Sequence, residues 1–110
     1  MPYPQLDRHA LTIQPLSERE NKVHIDRDMI MPGALPGGLT AAADAVIRKT
    51  AETMRQTRSA GRPIMMAFGA HAIKNGLGAV LIHLLETGWI QHLATNGAGI
   101  IHDWEFAFLG

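Results

Sequence analysis

Residues 68–103 read FGAHAIKNGLGAVLIHLLETGWIQHLATNGAGIIHD, and the order of signals in this stretch decides the fold. Just before it, Ile64–Phe68 is a short apolar run following Pro63, the length of a buried parallel strand. Within it, Ile73, Leu77, Val80, Leu81, Leu84 and Leu85 recur at helical spacing and predict one helix over Ala72–Thr87. Gly88 supplies a left-handed stop, and Trp89–Thr95 is the next apolar run, with a strand expected over Ile90–Thr95. Strand, helix and strand in that order make a βαβ unit with adjacent parallel strands and a right-handed crossover.

Two loops follow the carboxyl ends of these strands, Gly69-Ala70-His71 and Asn96-Gly97-Ala98-Gly99. Open parallel sheets bind ligands at that edge, where helix amino termini and free N–H groups meet an anion. Glycine there lets the backbone come close to a ligand. His102 and Asp103 open the helix after the second loop. The same pattern also suits plain βα turns that need small residues. Gly97-x-Gly99 has no third glycine at position 102, so it is not a dinucleotide fingerprint. His71, His102 and Asp103 are metal-ligand types, but a histidine at a helix start commonly caps or packs, and no metal site is assigned.

These residues resemble the nicotinamide-binding core of the deoxyhypusine synthase family. The counterparts are Phe68-Gly69-Ala70-His71, Asn75-Gly76, Thr95-Asn96-Gly97-Ala98-Gly99 and Ile101-His102-Asp103, with the intervening helix and strand matching in length. Pro15-Leu16-Ser17-Glu18-Arg19 and Lys22-Val23 look like the amino-terminal lead-in of bacterial relatives. The resemblance implies a partial Rossmann-like α/β domain, doubly wound on a parallel sheet, preceded by an extended amino-terminal arm. It implies NAD as cofactor, held by Gly69, Ala70, His71, Asn75, Thr95, Asn96, Gly97, Ala98 and Gly99. His102 and Asp103 are the expected catalytic pair facing a small-molecule amine. Asp103 would hold the cationic amine, and an imidazole at 102 would move a proton. The family's paired acids align with Ile101 and His102, so only Asp103 keeps its type, and the substrate need not be spermidine or a protein lysine. The family's catalytic lysine has no counterpart in these residues.

The totals exclude several classes. Lys plus Arg equals Asp plus Glu, ten of each among 110 residues, which leaves no electrostatic case for nucleic acid or an anionic membrane. The absence of cysteine excludes disulfides, thiolate metal sites and a cysteine nucleophile. No stretch reaches the ~18 apolar residues of a membrane span and the start has no signal-peptide core. A cytoplasmic protein is the expectation.

Residues 1–38 read as an arm and linker, and residues 39–110 as a partial βαβ nucleotide-binding domain. Met1–Pro15 has prolines at 2, 4 and 15 and no period, so an extended arm is expected. Leu16–Ile30 reads as one short strand or an ordered loop, and Met31–Gly38 as a linker or a substrate-side loop. Leu39–Ala60 is a second helix, capped by Thr40 and ended by Gly61 and Pro63, with an alanine-rich face suited to packing on a sheet. Arg48, Lys49, Glu52 and Arg55 should face water. His83 and Glu86 fall on a polar helix side, and His92 in a strand is expected to be a buried, hydrogen-bonded imidazole. Trp89 and Trp104 read as core or subunit-contact aromatics, and Met65 and Met66 as strand packing.

Two parallel strands leave two unpaired edges, which predicts a longer parent chain or partner chains in a homo-oligomer. Two functions fit: a deoxyhypusine synthase-like NAD-dependent amine (aminoalkyl) transferase or oxidising enzyme, or a non-catalytic ligand-binding or assembly module on the same fold.

Overall fold

Strands β1 (Met65–Phe68) and β2 (His92–Thr95) pair in parallel, with Met65 opposite His92 and Phe68 opposite Thr95. The adjacent parallel pair is as expected. In this computed structural model, which describes residues 3–109, the chain is of mixed helix and strand around that sheet. Met1 and Pro2 of the expected arm, and Gly110 of the expected domain, lie outside the described residues. The strands are shorter than the apolar runs because Gln91 takes over at their start. Its N–H donates to the Ile64 carbonyl at 3.0 Å, and its side-chain oxygen accepts the Ile64 N–H at 2.8 Å.

The crossover is not one helix. It consists of α3 (Ala70–Lys74) and α4 (Gly78–Glu86), separated at Asn75-Gly76-Leu77. Here α1 and α2 denote two earlier helices, Ile25–Asp28 and Ala41–Ser59. Gly76 takes φ +76°, its N–H donates to Ile73 O at 2.9 Å, and Leu77 N–H reaches Ala72 O at 3.0 Å. That paired closure is the Schellman end of a helix. The apolar period runs through the break, so spacing alone does not show it. The deciding partner is remote: the Ile30 N–H donates to the Gly76 carbonyl at 2.9 Å. A Cβ on Gly76 would stand 2.5 Å from the Asp28 carbonyl oxygen.

Residues 16–30 contain no strand. They form a 3-10 turn at Leu16–Glu18 and the short helix α1, and so are an ordered segment laid against the crossover. Arg27 and the His24 N–H both bind the Asp28 carboxylate, which locks that turn. The arm before it is exposed and irregular apart from one turn at Arg8–Ala10. Residues 31–38 carry no regular structure.

Thr40 caps α2 by accepting the Ala43 N–H at 3.2 Å, and Gly61 closes it at φ +66°. Arg48, Lys49, Glu52 and Arg55 are exposed as expected. The alanine-rich face does not cover the sheet, however. Val46 is 65% exposed, and the helix is tied near its carboxyl end, where the Arg58 guanidinium lies 4.4 Å over Trp89 and donates to Thr87 O.

Ile73, Leu81 and Ile90 are the buried apolar residues among those described, placed under α3, under α4 and at the start of the second strand run. Because one thin sheet covers so little, His92 is exposed rather than buried, and Met65 is 67% exposed. The radius of gyration is 19.0 Å. A compact domain of this length has about 13 Å. Among the described residues no helix is long and apolar enough to cross a membrane.

Candidate functional site

Parallel pairing puts the carboxyl ends of β1 and β2 side by side, so Gly69 and Asn96, the single residues that join each strand to the next helix, lie at one edge. Ala70-His71 and Gly97-Ala98-Gly99, expected as loop, are already helical, and His102 and Asp103 fall in the second turn of their helix rather than opening it. At that edge Gly69 and Asn96 touch: a Cβ on Gly69 would lie 3.6 Å from Asn96 Nδ2. Asn96 uses its other side-chain atom to cap helix α5 (Gly97–Leu109), its Oδ1 accepting the Gly99 N–H at 3.0 Å. Gly97 and Ala98 are exposed in the first turn, where N–H groups have no partner within a helix.

Gly69 and Ala70 are half-buried and His71 is exposed at the start of α3. Thr95 and Asn96 are exposed and Gly99 is buried. Gly99 is the constrained glycine, since a Cβ there would overlap Thr95 Oγ1. Around Gly97 the corresponding space is open to 4 Å. Asn75 stands apart: it closes the far end of α3. Because α3 ends after five residues, the first of the two helix starts carries a weak dipole, and the longer α5 supplies the stronger one.

His102 and Asp103 do not share a cavity. Successive helical residues point about 100° apart, as the 3.6-residue turn requires. His102 borders a cavity of about 420 Å³ with Arg19, Lys22, Lys74 and Glu105. Asp103 borders another of about 270 Å³, lined chiefly by apolar residues including Ile25, Met29 and Ile82. Phe106 lies on the wall of both.

The most developed polar geometry is around His102. Its Nδ1 lies 2.7 Å from Glu105 Oε2, and the other oxygen of Glu105 meets Arg19 Nη1 at 2.5 Å. An ionised carboxylate only accepts hydrogen bonds, so the proton sits on Nδ1. In the neutral ring this leaves the Nε2 lone pair available as a base. Hydrogen bonding from Arg19, and then from His102, holds the Glu105 carboxyl below its ordinary value. Glu105 therefore positions His102 and anchors the arm segment in one contact.

Neither Glu105 nor the pairing with Arg19 is among the residues singled out in the sequence. The His102-x-x-Glu105 spacing, which puts both on one helix face, is the local signal for the first. Arg19 lies 86 positions from Glu105, and no local pattern joins them. Among the described residues, no group of three or more His, Cys, Asp or Glu is arranged to hold a metal ion. Comparison with protein-family models, with curated proteins and with solved structures finds no match to this chain.

Proposed function

We propose that the chain carries the dinucleotide-facing part of a deoxyhypusine synthase-like, NAD-dependent amine (aminoalkyl) transferase or oxidising enzyme, on a Rossmann-like sheet. The observation that carries this reading is the side-by-side placement of Gly69 and Asn96 at the carboxyl edge of a parallel pair. The open space at Gly97 and the exposed first-turn backbone at Gly97 and Ala98, ahead of the N–H groups that Asn96 takes up, suit a pyrophosphate. NAD, when bound, would supply the hydride acceptor for oxidation of an amine to an imine, which a second amine then captures. This chain's residues would orient the cofactor through Gly69–His71 and Thr95–Gly99, while His102 takes the amine proton at Nε2. Glu105 would hold that imidazole in the required tautomer. A homo-oligomer would cover the open sheet edges.

The separation of His102 from Asp103 favours a second reading, a ligand-binding module without chemistry. Calorimetric titration with NAD, followed by hydride transfer to NAD from a panel of small amines, separates the two. Heat with NAD and reduction of the cofactor by an amine support the enzyme. Heat without reduction supports the binding module, and no heat at millimolar NAD removes the dinucleotide reading. Gly97→Val should abolish the heat while leaving the melt intact, because its side chain enters the open space.

A further inference from the structure

We infer that the cavity between residues 19–23, Lys74 and α5 is a binding site for a small organic oxyanion, a carboxylate or a phosphate monoester with an apolar body. The inference goes beyond the dinucleotide reading and stands if that reading fails. Three permanent cations, Arg19, Lys22 and Lys74, face two carboxylates, Glu20 and Glu105. Glu105 is committed to Arg19 and His102, which removes both it and Arg19 from the balance. Lys22 and Lys74 form no ion pair among the described residues, so two cations border the cavity against Glu20 alone.

The remaining wall is apolar. Val23 from the arm segment and Phe106 from α5 line the space, which at about 420 Å³ is the size of a small-ligand pocket. A bare inorganic ion would leave these two side chains without contact. A ligand with an oxyanion at one end and a ring or short alkyl group at the other satisfies both walls. The two lysines come from elements far apart in sequence, brought together by the docking of residues 28–30 on the end of α3 and by the Arg19–Glu105 contact with α5. Binding should therefore also fasten the arm segment to α3 and α5.

The test is a titration of the whole chain, followed by backbone amide spectra, with benzoate, phenyl phosphate, inorganic phosphate and benzyl alcohol. Benzoate or phenyl phosphate should shift Lys22, Lys74, His102 and Phe106, and the tighter of the two identifies the source of the oxyanion. Inorganic phosphate should bind more weakly than phenyl phosphate, and benzyl alcohol should leave the spectra unchanged. Lys22→Gln and Lys74→Gln should each weaken the preferred ligand about tenfold or more. Both lysines are exposed, so these variants keep the fold, and unchanged spectra of the free variants verify that. NAD should not displace the ligand. Equal response to benzyl alcohol, or undiminished affinity in the Lys22→Gln/Lys74→Gln double variant, would overturn the proposal.

Discussion

His102 and Glu105 stand one turn apart on α5, with His102 Nδ1 2.7 Å from Glu105 Oε2, and the same carboxylate receives Arg19 from the arm segment. Glu105→Ala should therefore have two separable effects. The neutral imidazole should lose its preference for the Nδ1–H form, read in long-range proton–nitrogen spectra. Protease cleavage within residues 11–23 should accelerate severalfold. An unchanged tautomer ratio would show that the helix, not the carboxylate, sets the ring.

Gly76 and Gly88 both adopt left-handed backbone, at φ +76° and +69°, but only Gly76 has a neighbour in the way. Gly88→Ala should cost about 1–2 kcal/mol, the ordinary penalty for a side chain in that conformation. Gly76→Ala should cost about 1–3 kcal/mol more, because its Cβ meets the Asp28 carbonyl. Urea melts of the two variants compare them directly. Equal losses would mean that residues 28–30 are not docked on the crossover.

Gly97 and Gly99 should also part company. Gly97→Ala enters open space and replaces glycine by a better helix former, so stability should hold or rise by about 0.5–1 kcal/mol. Gly99→Ala collides with Thr95 Oγ1 and should lower stability by about 1–3 kcal/mol. Adding Thr95→Ala should recover much of that loss. Thermal melts of the single and double variants provide the measurement, and a lack of recovery would place the strain elsewhere.

The turn at residues 24–28 should survive mild acid. Hydrogen bonding from Arg27, and then from the His24 N–H, pushes the Asp28 carboxyl down to about 2 from an ordinary 3.8. A depressed folded value means the contribution is complete above the ordinary value and is lost as pH falls through about 2. The His24 amide resonance should stay in place at pH values between those two limits. Asp28→Asn should shift it at neutral pH and remove its acid transition.

The two strands, the capped second helix and its glycine stop were legible because each is written in contiguous residues. Ile64–Phe68 is an uninterrupted apolar run, and Thr40 and Gly61 bracket their helix by local chemistry alone. The break at Gly76 was not legible, because the helical period continues through Leu77 and Val80 and the docking partner is Ile30. His92 is exposed although its place in an apolar run suggests burial, because such a run cannot report how many strands lie beside it. The His102–Glu105 half of the polar site could be found at i,i+3, whereas Arg19 reaches it only through tertiary folding. The family resemblance pairs His102 with Asp103, and helical geometry turns the two neighbours toward different cavities.

The sheet has a consequence for exchange with solvent deuterium. In a parallel pair, alternate residues turn their N–H and C=O groups toward the partner strand and the others turn them outward. With one ladder between β1 and β2, every second amide along 65–68 and 92–95 should exchange within the time of an open chain, while its neighbours lag. Any strand added at either edge would slow its own alternate set and leave the other unchanged. A residue-by-residue exchange map would thus register which edge becomes occupied, and in what order, without a mass change needing to be resolved.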